Sequence, residues 1–114
     1  MTAFNNEKYF GRMNDPTSSA YLRGICGDEM EFYLVIEDGK IAEIKTYTQG
    51  CEFTKLCAQM TAYLAEGKTI MDALGISAGE VISALENLPE DNRHCAILAV
   101  STLYRAIADY LLKP

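Results

Sequence analysis

The sequence predicts an α+β domain in which a small three-stranded antiparallel sheet packs against helices, with a long C-terminal helix. Three patterns carry this. Apolar and polar residues alternate from Met30 to Ile36, the period turns helical after Cys51, and one apolar stripe runs from about Arg93 to Leu112. Strands come first and helices afterwards, which argues for helices packed on one sheet face.

Residues 1–20 carry polar and breaker residues, among them Asn5, Asn6, Gly11, Asn14, Asp15 and Pro16, and predict a short helix and a flexible or loosely packed arm. A strand is expected around Tyr21 to Ile25. From Met30, the side chains of Met30, Phe32, Leu34 and Ile36 share one face, as a half-buried strand requires. Asp38-Gly39 reads as a hairpin turn, because Gly tolerates the positive φ of a tight turn, and the return strand covers about Ile41 to Thr48. Phe53, Leu56, Cys57, Met60 and Leu64 then fall at helical spacings, with Gly67 as a stop. Thr69 with Asp72 starts a short helix, and Ser77 with Glu80 has the form of a capping box. Leu88-Pro89 closes that segment. In the last helix, Cys95, Leu98, Ala99, Thr102, Leu103, Ile107 and Leu111 form the apolar stripe.

The 114 residues make one domain, 1–114, with a composition of 49% hydrophobic and 23% charged residues that suits a packed core. A formal net charge of −6 argues against coating nucleic acid, which needs a basic surface. No apolar run approaches the roughly 18 residues that span a bilayer. The start MTAFNNEKYF has neither the basic beginning nor the apolar core of an export signal, so a cytoplasmic protein with no membrane partner is expected. Its four cysteines are then reduced thiols, available for metal or sulfur chemistry.

Three of them sit at element boundaries: Cys26 in Gly24-Ile25-Cys26-Gly27-Asp28, Cys51 after Gln49-Gly50, and Cys95 after Arg93-His94. Such positions expose a side chain, and a helix amino terminus favours the thiolate, the form that binds metals and attacks sulfur. Glycines beside Cys26 and Cys51 allow close backbone approach. With His94 as a fourth ligand, this donor set suits tetrahedral zinc and an iron–sulfur cluster equally. Cys57, about 240° round the helix from Cys51, shares the Phe53 and Met60 stripe and reads as core. Taken alone, His94 reads as a structural histidine, and for Asp28, next to Gly27, a turn former is the lesser alternative. Glu7, Glu66, Glu86, Glu90 and Asp91 read as a solvated face.

The segments CGDEMEFYLVIEDGKIAEIKTYTQGC, EGKTIMDAL and LPEDNRHC, the last followed by a helix ending in ADYL, resemble the IscU/NifU amino-terminal family of iron–sulfur scaffold proteins. The ordered CGD, GC and HC motifs are each matched, and the resemblance covers about Tyr9 to Leu112. It implies an exposed site where a cysteine desulfurase delivers sulfur, iron is bound, and a cluster, usually [2Fe–2S], is built transiently and passed to apo recipient proteins. It implies an assembly scaffold and carrier rather than an enzyme. By this resemblance Cys26, Asp28, Cys51, His94 and Cys95 are the site residues, with Cys95 the first sulfur acceptor. Asp28 supplies a hard oxygen, suited to entering iron and a labile partner for a soft cluster. His94 ligates or supplies a hydrogen bond. Zinc suits the same ligands and is expected in purified protein.

The family's Leu-Pro-Pro-Val-Lys segment, recognised by a specialised chaperone, is replaced by Leu88-Pro89-Glu90-Asp91-Asn92, which argues against that partner. Glu52, Phe53 and Thr54 stand where small residues usually follow the second cysteine, and Glu52 either adds an oxygen ligand or repels an incoming anion. Two other functions use the same residues: a zinc-binding regulatory protein, and a sulfur acceptor carrying a persulfide on Cys95.

Overall fold

The structure is a computed structural model and describes residues 6–113. Three strands, β1 (Ser18–Arg23), β2 (Glu29–Glu37) and β3 (Lys40–Gln49), form an antiparallel sheet in the order β1-β2-β3. Four helices follow: α1 (Glu52–Ala65), α2 (Ile70–Leu74), α3 (Ala78–Leu85) and α4 (Arg93–Leu111).

Alternation along β2 buries Met30, Phe32 and Leu34 completely, and Ile41, Ile44 and Thr46 of β3 extend the same face. α4 lies against β1 and β2, and α1 against β3 and α4, so the core sits between the sheet and this helix pair. Asp38 and Gly39 both take positive φ, 55° and 75°, as the tight hairpin turn demands. Thr69 caps α2 by accepting the Asp72 amide, and Ser77 with Glu80 forms a reciprocal capping box on α3. No helix of the described residues is long and apolar enough to cross a membrane.

Four expectations change. The first strand lies at Ser18–Arg23 rather than Tyr21–Ile25, because Gly24 and Asp28 close a tight loop between β1 and β2. In that loop the Gly24 amide donates to the Asp28 carbonyl (2.7 Å), Gly27 takes φ +87°, and Ile25 is 94% exposed. The arm expected over residues 1–20 is docked in its described part. A short 3-10 turn at Asn6–Tyr9 buries Tyr9, whose carbonyl accepts from the Thr46 hydroxyl (2.8 Å) and whose own hydroxyl donates to Glu66 (2.8 Å). Residues 1–5 lie outside the described residues. α3 ends at Leu85, ahead of Pro89, where Glu86 turns the chain at φ +61°. Leu111 leaves the α4 stripe, being 57% exposed in the final turn.

Candidate metal centre

Three connections meet at one end of the sheet. The β1–β2 loop carries Cys26 and Asp28, the β3–α1 junction carries Gly50 and Cys51, and the first turn of α4 carries His94 and Cys95. The ladder ends at the Glu29–Gln49 pair, and the next residues, Asp28 and Gly50, lie side by side. A cavity of about 370 Å³ opens there, lined by Cys26, Asp28, Cys51, Thr54, Asn92 and His94 together with Gly27, Gly50 and Gln49.

One ligand atom each from Cys26, Asp28 and His94 lie within 4.8 Å of one another. Beside this group, Cys95 Sγ is 3.7 Å from His94 Nε2 and 3.9 Å from Asp28 Oδ2. Cys51 completes the set of five residues expected from the sequence. It occupies the N-cap of α1, with its Sγ 3.5 Å from the Thr54 hydroxyl and 3.8 Å from Asn92 Nδ2.

The five differ in exposure. Cys26 and Cys51 are exposed, as helix-start and loop positions predict. Cys95 departs from that prediction: it is fully buried, because the third residue of α4 already lies on the inward stripe, beneath Thr54 and Asp28. The chemistry follows the burial. The contact with the Thr54 hydroxyl, together with the Thr54 and Phe53 amides, holds the Cys51 thiol below its ordinary range. Burial instead pushes the Cys95 thiol up, with Thr54 and Asn92 partly opposing it. Cys57 is buried in the core, as expected, and desolvation pushes it up to about 12, so it stays protonated and inert.

Asp28 is only 8% exposed, and its Oδ1 has no hydrogen-bond partner. A buried carboxylate oxygen left bare costs free energy that a bound cation would offset. Its other oxygen accepts from Thr54 Oγ1 at 2.9 Å. Thr54 is the residue that sequence reasoning missed. It is visible there only as a bulkier replacement three positions after Cys51, whereas in space its buried hydroxyl touches Cys51, Asp28 and Cys95. The sequence marks Asn92 only as a missing lysine, whereas in space its amide reaches Cys51. Glu52 does not line this cavity and borders a separate groove with Glu7, Lys55, Leu56 and Gln59. Nor is Glu66 simply solvated, since it accepts from both Lys8 (2.9 Å) and Tyr9 (2.8 Å).

Comparison with known proteins adds an independent line. Residues 1–114 match the family model described as NifU-like N terminal domain. The chain is 37% identical over 111 residues to the iron-sulfur cluster assembly scaffold protein IscU 1 of Archaeoglobus fulgidus, a match spanning 96% of this chain and 72% of that protein. It is 34% identical over 89 residues to the scaffold protein IscU of Haemophilus influenzae, covering 77% and 70% of the two chains. The crystal structure of a NifU-like protein (N-terminal) from Brucella abortus superposes with a TM-score of 0.72 over 98% of this chain and 90% of that one. At 18% identity that likeness speaks to the fold, which the two share.

Proposed function

This chain belongs to the NifU-like N-terminal domain family, and from that premise we propose that it is a scaffold on which an iron–sulfur cluster is assembled and then released. The observation that supports this best is convergence: Cys26, Cys51, a histidine and a buried carboxylate with one bare oxygen meet at one open cavity, and the third cysteine, Cys95, lies buried directly against that carboxylate and histidine. The cluster, a [2Fe–2S] unit, is cargo rather than a resident cofactor.

In this reading Cys26, Cys51 and Cys95 supply thiolates that suit iron and sulfide, and Asp28 supplies a hard oxygen that favours entering ferrous iron. His94 ligates directly or donates a hydrogen bond to cluster sulfur. A cysteine desulfurase delivers sulfur as a persulfide. The Cys95 thiolate attacks its outer sulfur, the S–S bond breaks, and the desulfurase thiolate leaves. Two electrons from an external reductant convert the carried sulfur to sulfide. Because Cys95 is buried, this transfer requires Thr54 and Asp28 to let its sulfur go. Openness of the site and the mismatch between a hard oxygen and a soft cluster favour release to apo recipient proteins. The chain acts as a carrier, not as a turnover enzyme.

Four cysteines free of disulfides fit a reducing cytoplasm. The segment Glu90–Asn92 forms a 3-10 turn that leads into α4 and turns Asn92 toward Cys51, so no lysine-reading chaperone is assigned. A mononuclear zinc site is the second reading, favoured by the close grouping of Cys26, Asp28 and His94.

Anaerobic incubation with ferrous iron, cysteine and a desulfurase, followed by iron and acid-labile sulfide analysis, tests the proposal. Equal iron and sulfide that vanish when Cys26, Cys51 or Cys95 is replaced by Ala support it. Tight zinc with no sulfide uptake moves the assignment to the zinc reading.

A further inference from the structure

We propose that Thr54 is a positioning residue for Asp28: its hydroxyl fixes one carboxylate oxygen and thereby presents the other to an incoming divalent ion. This deepens the scaffold reading and rests on it only in taking Asp28 as an ion ligand.

Thr54 is the third residue of α1 and is completely buried. Its Oγ1 lies 2.9 Å from Asp28 Oδ2, 3.5 Å from Cys51 Sγ and 3.7 Å from Cys95 Sγ. A hydroxyl has one proton to give and two lone pairs to offer. Asp28 as a carboxylate can only accept, so the proton goes to Oδ2 in the shortest of the three contacts, while the two sulfur contacts are longer and either atom can be their donor. Once the sulfurs bind metal they have no proton to donate, and sulfur whose charge is shared with a metal is a weaker acceptor than a carboxylate oxygen. The bond to Asp28 needs nothing from them and persists.

That surviving bond decides the geometry of the carboxylate. Oδ2 is held by Thr54, while Oδ1 is buried, bare and part of the residue that groups with Cys26 and His94. Gly50 leaves room for this arrangement, since a Cβ there would come within 3.0 Å of Thr54 Oγ1. Hydrogen-bond partners of ligating carboxylates orient them, and losing such a partner lowers metal affinity by roughly 10- to 100-fold.

The test uses Co²⁺ alone as probe, titrated anaerobically into the full chain and followed by its thiolate charge-transfer absorption. Thr54→Val keeps the shape and removes the hydroxyl, and should weaken Co²⁺ binding about tenfold. Thr54→Ser should recover most of the affinity. In an Asp28→Ala background the valine substitution should change little, because Thr54 acts through Asp28. Thr54→Ala serves the same comparison where the valine variant does not fold. Unchanged or tighter binding by Thr54→Val, or equal losses in the valine and serine variants, overturns the proposal. So does a loss in Thr54→Val that remains undiminished when Asp28 is absent. If Asp28→Ala alone binds Co²⁺ like the parent, or the parent binds none, the ligand assignment itself fails and this inference falls with it.

Discussion

Gly50 lies so close to Asp28 that a Cβ at position 50 would stand 2.9 Å from the Asp28 Cβ. The residue before Cys51 therefore has to be glycine for the carboxylate to occupy its place. The absent side chain makes room for the protein's own aspartate and threonine, in addition to whatever the cysteines hold.

Gly50→Ala should thus push Asp28 and Thr54 aside. Overpacking of this kind costs about 1–3 kcal/mol, and Co²⁺ affinity should fall with it. Urea unfolding and the same titration measure the two effects. A variant as stable and as tight-binding as the parent would remove the steric argument.

Thiol reactivity should follow exposure and hydrogen bonding. Cys51 is exposed and held low by Thr54, whereas burial raises Cys95. Iodoacetamide should therefore modify Cys51 well before Cys95 in the metal-free chain, and lowering the pH should suppress Cys95 first. Peptide mass spectrometry against time and pH reads the order.

Cys57 gives a prediction on stability. Its thiol rises from an ordinary 9.0 to about 12 on folding, so between those values the unfolded chain has lost a proton that the folded chain keeps. Stability should fall as pH rises across that window, and Cys57→Ala should flatten the slope. Cys57→Ser should leave iron content intact while lowering stability by about 1–3 kcal/mol, because a hydroxyl replaces a buried thiol. Denaturant midpoints from pH 8 upward, paired with iron analysis, check both statements.

Asp28→Ala should slow cluster loss by removing the hard, labile oxygen while weakening binding of a lone ferrous or cobalt ion. Decay of the cluster absorption under a chelator measures the first effect. Release as fast as in the parent would deny Asp28 its role.

Periodicity made the long elements legible, and the order of CGD, GC and HC named the five residues that the fold gathers. The stripe that marked α4 contains Cys95 itself, so its burial was readable from the same pattern that predicted the helix. The β1–β2 loop was not, since Ile25 looks like a strand residue and the Gly24 and Gly27 turn chemistry overrides it. The role of Thr54 toward Asp28 and Cys95 could not be read. That role comes from contacts across 26 and 41 residues, which a spacing argument along one chain does not contain.

The most direct test of the scaffold assignment is transfer. A chain loaded anaerobically with iron and sulfide should pass an intact cluster to an apo-ferredoxin, with donor absorption falling as ferredoxin absorption appears and a chelator unable to intercept the iron. Failure to load sulfide, or delivery only through free iron and sulfide that the chelator captures, would contradict it.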